Sequence, residues 1–207
     1  MSQSQPFPFP REYFFPPFFT RQTNLTTHHA QLTKWSSLIL SYCRHHRIFK
    51  LPLTPPDVTT TTTTTTPSAT TTTAASTSSA VGDDLFYNRK INRRLSLSDT
   101  REVIDFLRKD GRAEYVSGND KEGGGDVVWI YWRTPEEWAS LVEAWVDETA
   151  QKGSVLTLYE LTEGEGTRGT EFHGMDPELL QKALSVLVKR GKAQIFGQED
   201  SQGVKFF

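Results

Sequence analysis

Cysteine is almost absent from this chain: Cys43 is the single one, so no internal disulfide can form, and a reducing, cytosolic setting is expected. Long apolar runs are missing as well. No stretch approaches the roughly eighteen apolar residues of a membrane span, which argues against an integral membrane protein. The start has no basic region followed by an apolar run, so no secretory leader is expected. Neither sign of charge dominates: 23 Lys and Arg face 25 Asp and Glu, for a net −2, which excludes a globally basic nucleic-acid binder but not a local basic patch.

Chemistry-bearing patterns are equally scarce. His28-His29 and His45-His46 are adjacent pairs, and neighbours on a helix point about 100° apart, so neither pair makes the i, i+4 grip of a metal site. His173 stands alone, and the histidines read as surface residues. The run Glu163-Gly164-Glu165-Gly166 has too few carboxylates, wrongly spaced, for a calcium loop. No phosphate-binding loop or dinucleotide fingerprint occurs. The expectation is a non-enzyme without cofactor or metal.

Aromatics are plentiful, and they are concentrated. Residues 7–19 hold Phe7, Phe9, Tyr13, Phe14, Phe15, Phe18 and Phe19 among prolines. A free terminal tail has nothing to bury such rings, whereas proline-stiffened ribbons carrying aromatics lie in grooves on other proteins. The tail, 1–23, is therefore expected to bind a partner; the alternative is that the rings dock on the chain's own core. Residues 52–82, dominated by the threonines of 59–66 and 70–73, have too little apolar surface to fold and are expected to be a disordered insertion.

The remaining chain repeats itself. Ile104–Val116 aligns with Leu184–Phe196 eighty residues on, matching Leu107 with Leu187, Lys109 with Lys189, Gly111 with Gly191 and Ala113 with Ala193. Each copy reads as a helix with basic residues in its last turn, a glycine in the left-handed cap position, and a strand. Ser96 and Asp176 are the expected N-caps, with Pro177 at the first helical position. Each strand begins a two-stranded wing, 114–132 in one copy and 194–207 in the other. A longer amphipathic helix precedes each: one with Leu32, Trp35, Ile39, Tyr42 and Cys43 on a stripe, the other opening on the capping box Thr134-Pro135-Glu136-Glu137 with Trp138, Leu141, Val142 and Trp145 as its stripe. Short elements fit into 85–95 and 155–161. That order is a winged helix in tandem: an α+β, mainly helical fold with modules at 24–132 and 133–207.

One electrostatic cluster stands out: Arg89, Lys90, Arg93, Arg94, Arg101, Arg108, Lys109 and Arg112 surround the would-be recognition helix of the first module. A nucleic-acid regulator is the alternative reading it permits. Asp99, Glu102, Asp105 and Asp110 on the same helix would repel phosphates, so a protein-binding face is expected instead, with Arg108 a second partner contact beside the tail.

Taken together, Pro16-Pro17-Phe18-Phe19-Thr20-Arg21-Gln22, the Trp35 helix, Leu85-Phe86-Tyr87-Asn88, Trp132-Arg133-Thr134-Pro135-Glu136-Glu137-Trp138, Thr157-Leu158-Tyr159-Glu160-Leu161, Glu171-Phe172-His173-Gly174 and Gly203-Val204-Lys205-Phe206-Phe207 resemble the small subunit of the ESCRT-II complex. The resemblance implies two winged helices, no catalysis, and work in sorting ubiquitinated membrane cargo into multivesicular endosomes, in the cytoplasm and at the endosomal membrane. It further implies that two copies of the chain each grip one larger ESCRT-II subunit through Pro16, Pro17, Phe18 and Phe19, and that the second module binds an ESCRT-III subunit. Thr23, where the family pattern has proline, and the threonine tract depart from that pattern.

Overall fold

The computed structural model describes residues 6–53, 85–116, 127–197 and 202–207, and the chain divides into two units, Met1–Trp132 and Arg133–Phe207. Most of the expected threonine-rich insertion lies outside the described residues. Its first two positions do not: Pro52 pairs in a strand and Leu53 is buried, because two apolar residues beside a strand have a core to enter.

The first unit opens with two 3₁₀ turns, Arg11–Phe14 and Pro16–Phe19, followed by helix α1, Leu25–His46. Asn24 caps α1, accepting from the amides of Thr26 and Thr27 at 3.0 and 3.2 Å. The stripe read from the sequence is buried, with Trp35, Ile39, Tyr42 and Cys43 all inside and Leu32 half-buried. Cys43 is enclosed completely and its thiol is pushed above its ordinary value by burial, as a packing residue's would be. Strand β1, Lys50–Pro52, follows; then a short hairpin of β2, Tyr87–Asn88, and β3, Arg93–Arg94; then helix α2, Leu97–Lys109; then β4, Ala113–Tyr115, and β5, Val127–Ile130. The main sheet is antiparallel in the order β1-β5-β4.

The second unit runs α3, Pro135–Glu148; β6, Val155–Thr157; α4, Leu158–Glu163; a 3₁₀ turn Glu165–Thr167; α5, Pro177–Lys189; β7, Ala193–Phe196; and β8, Gly203–Phe206. Its sheet order β6-β8-β7 repeats that of the first unit. Helices α3 and α5 pack on each other, and Trp138, Ala139, Val142, Leu180, Ala183 and Leu184 on them are fully buried.

The repeat extends to individual hydrogen bonds. Gly111 and Gly191 sit at φ +68° and +69°, where an L side chain is strained. Arg112 N donates to Leu107 O at 2.8 Å, and Lys192 N to Leu187 O at 2.9 Å. The carbonyl of Arg112 then receives Tyr131 N at 2.8 Å, and that of Lys192 receives Phe207 N at 3.0 Å. The same cap aims the same strand in both copies. Thr134 forms the expected reciprocal capping box with Glu137.

Candidate functional site: a proline-aromatic ridge between two clamps

The aromatic segment is where the structure departs most from a free tail. Phe18 lies flat on the Trp35 indole, with centroids 4.5 Å apart and planes 5° apart, and Phe19 meets the same indole edge-on at 5.3 Å. Tyr13 stacks on Phe9 at 4.1 Å and sends its hydroxyl to Leu85 O at 3.0 Å. Tyr13, Phe18 and Phe19 are thus part of the first unit's core. The physical reason is α1 itself, whose Trp35 leaves a face large enough to bury rings that would otherwise meet water.

Between these anchors the chain comes back out. Phe14 is 41% exposed and Phe15 60%, and Pro16 and Pro17 are exposed beside them. Backbone bonds shape the stretch: Phe15 N donates to Glu12 O at 3.0 Å, and Phe18 N to Phe15 O at 2.9 Å. Prolines at 16 and 17 fix φ as well. The outcome is a short apolar ridge held up by two buried ends.

Polar side chains secure those ends. Gln31 Nε2 donates to Phe18 O at 2.8 Å and to Thr20 O at 2.9 Å, and Trp35 Nε1 donates to Phe18 O at 2.9 Å. Upstream, Asn88 Nδ2 donates to Tyr13 O at 2.6 Å. Farther on, Arg21 makes a forked pair with Glu102 of α2 at 3.0 and 3.2 Å, and His28 Nε2 lies 2.9 Å from the same carboxylate. Arg21 first and His28 second hold the Glu102 carboxyl down to about 2. His28 is therefore no surface histidine: it is buried and bonded across to α2, in a pairing of residues 74 apart that local spacing does not reveal.

Two grooves run along α1, of about 400 and 180 Å³; Phe18 and the Lys34–Glu12 pair, 2.6 Å apart, border both, and the smaller groove also meets Phe15 and Pro17 of the ridge. On the ridge's other side is the β2–β3 hairpin, with Arg89, Lys90, Arg93 and Arg94 exposed. Strand β3 packs on the Pro16–Phe19 turn, and Lys90 Nζ lies 5.4 Å from the Phe14 ring centre. The basic cluster thus divides in two. Its hairpin half adjoins the ridge, while Arg108 pairs with Asp105 of its own helix at 3.1 Å and covers the Tyr115 ring at 4.8 Å. Glu102 of α2 meets the N-terminal segment through Arg21.

Among the described residues no three His, Cys, Asp or Glu side chains converge as a metal site, and no helix is long and apolar enough to cross a membrane. Apolar ridge, clamps and basic hairpin make up the candidate site. The fold defines a tandem winged-helix protein, and its first module carries an exposed proline-aromatic ridge.

Comparison with known proteins makes this specific. The family model described as "ESCRT-II complex subunit" matches residues 12–176. Vacuolar protein-sorting-associated protein 25 of Homo sapiens is 40% identical over 201 residues, covering 97% of this chain and 98% of that one. Its counterparts in Xenopus laevis and Dictyostelium discoideum are 37% and 36% identical, over 97% and 99% of this chain and 99% and 98% of theirs. The fold superposes on the crystal structure of subunit VPS25 of the endosomal trafficking complex ESCRT-II with a TM-score of 0.74 at 26% identity, covering 96% of this chain and 98% of that one. The crystal structure of endosomal complex ESCRT-II (VPS22/VPS25/VPS36) matches equally, at 0.74 and 26%, over 95% of this chain and 98% of that chain. The chain belongs to the family of ESCRT-II complex subunits, in the group of vacuolar protein-sorting-associated protein 25, a non-catalytic family that works in endosomal sorting.

Proposed function

We propose that the chain is the adaptor of its ESCRT-II complex, gripping the larger winged-helix subunits through its first module and an ESCRT-III subunit through its second, in sorting cargo to multivesicular bodies. The observation that carries the first contact is the exposure of Phe14, Phe15, Pro16 and Pro17 on a module whose other large rings are buried or half-buried. Solvent-exposed aromatics held in place are efficient anchors, because their burial releases water at little further cost in chain entropy. Phe18 and Phe19 belong to this contact as its support, setting the height of the ridge from beneath. The hairpin cations Arg93 and Arg94 suit acidic side chains around the receiving pocket. Arg108, paired with Asp105 of its own helix, takes a subsidiary part because it lies on α2 and not on the hairpin that packs against the ridge.

Replacing Phe14 and Phe15 by serine tests this. Two rings at roughly 1.5 kcal/mol each correspond to an affinity loss of about a hundredfold for the larger subunits. Unchanged affinity in calorimetry would remove the ridge from the interface. The second-module contact is tested separately: residues 133–207 deleted, the remaining chain should still bind the larger subunits and lose the ESCRT-III subunit.

A further inference from the structure

Gln31 and Asn88 stand on different elements, yet both spend an amide on the same short segment. Gln31, on α1, gives Nε2 to the carbonyls of Phe18 and Thr20 and accepts Gln22 N on Oε1 at 3.3 Å. Asn88, on β2, gives Nδ2 to Tyr13 O and accepts Lys90 N on Oδ1 at 3.0 Å. Both residues are buried, at 8% and 4% exposure. Burying the rings of Tyr13 and Phe18 needs neither amide, since apolar side chains would fill the space without any polar group to satisfy. What the amides add is direction. Asn88 fixes the Tyr13 carbonyl, and Gln31 fixes that of Thr20 and, together with Trp35 Nε1, that of Phe18, and so the peptide planes on either side of residues 14–17.

We infer that Gln31 and Asn88 are positioning residues for partner capture: they lock the backbone at both ends of the ridge, so that Phe14 to Pro17 are held in their binding shape before a partner arrives. This rests on the reading of the ridge as the contact for a larger ESCRT-II subunit. Without the locks the rings stay buried and the module stays folded, but the ridge samples other shapes and must be ordered on binding. Ordering one residue's backbone corresponds to about a tenfold loss of affinity.

The test is a double-mutant cycle with the full chain and a purified larger subunit. Gln31→Met keeps the side chain's length and removes both donated bonds and the acceptor of Gln22 N, leaving Trp35 Nε1 on the Phe18 carbonyl. It is expected to weaken binding about tenfold, to speed amide exchange at Phe14 and Phe15, and to have no further effect on affinity in a Phe14→Ala, Phe15→Ala background. Asn88→Ser keeps an acceptor for Lys90 and cuts the other lock, and should behave alike, so the test stands even if one variant fails to fold. An equal loss in both backgrounds would make the role merely structural and overturn the inference. Sensitivity to Phe15 with none to Gln31 or Asn88 would overturn this inference alone, whereas insensitivity to Phe14 and Phe15 would overturn the interface reading and this inference with it.

Discussion

Phe18→Ala separates a ring that belongs to the core from one that waits for a partner. The ring is 7% exposed, stacked on Trp35 at 4.5 Å and edge-on to Phe19 at 6.1 Å. Truncating a buried Phe to Ala typically costs about 3–5 kcal/mol, of which about 0.5–1.5 kcal/mol here is the aromatic pair with Trp35. Phe18 also borders the two grooves, so water reaches the space it leaves and no sealed void remains. That places the cost at the lower end, about 3 kcal/mol. With a urea dependence near 2 kcal/mol/M, the first unit's unfolding midpoint should fall by about 1.5 M. The measurement is urea unfolding followed residue by residue by NMR, so that the units' transitions are read separately. The second unit's midpoint should not move. A first-unit midpoint unchanged to within about 0.2 M, with partner affinity sharply lost, would refute the assignment of Phe18 to the core.

Other outcomes follow from single features. Gly111→Ala and Gly191→Ala should each cost about 1–2 kcal/mol in their own unit, because both glycines hold the same left-handed cap and no atom lies within 4 Å of an added Cβ; a cost in one unit only would break the equivalence of the modules. The Glu102 carboxyl, held at about 2 against an ordinary 4.5, adds stability that is present above pH 4.5 and is lost as pH falls towards 2. Glu102 is about a third exposed, so screening leaves about 1 kcal/mol, and Glu102→Gln should flatten that part of the acid unfolding curve. Arg93→Glu, beside the ridge, should slow association with the larger subunits and weaken its salt dependence more than Arg108→Asp does, as read by stopped-flow kinetics. A larger effect at Arg108 would move the basic contact to the end of α2.

Much of the fold could be read because its signals are local. The caps at Ser96, Thr134 and Asp176, the paired glycines Gly111 and Gly191, and the Trp35 and Trp138 stripes each declare themselves within one turn of chain. The β2–β3 hairpin was less legible: two-residue strands leave no alternation to detect, and 85–95 accommodated strand or helix equally. The candidate site was legible in composition and not in geometry. Proline and phenylalanine mark Phe7 to Phe19 as a special segment, but its division into buried anchors and an exposed ridge depends on Trp35 and Asn88, 17 residues from Phe18 and 75 from Tyr13. Bonds at such separations leave no periodic trace. The same holds for His28 and Glu102, and for the separation of Arg108 from the hairpin cations.

Side-chain oxidation footprinting of the free chain and of its complex with the larger ESCRT-II subunits tests the central claim most directly, because it reads ring exposure itself. The free chain should be modified at Phe14 and Phe15 and spared at Phe18 and Phe19, as their burial requires. In the complex Phe14 and Phe15 should become protected while Phe18 and Phe19 stay as they were. Phe14 and Phe15 equally reactive in both states, or Phe18 and Phe19 reactive in the free chain and protected only on assembly, would contradict the account.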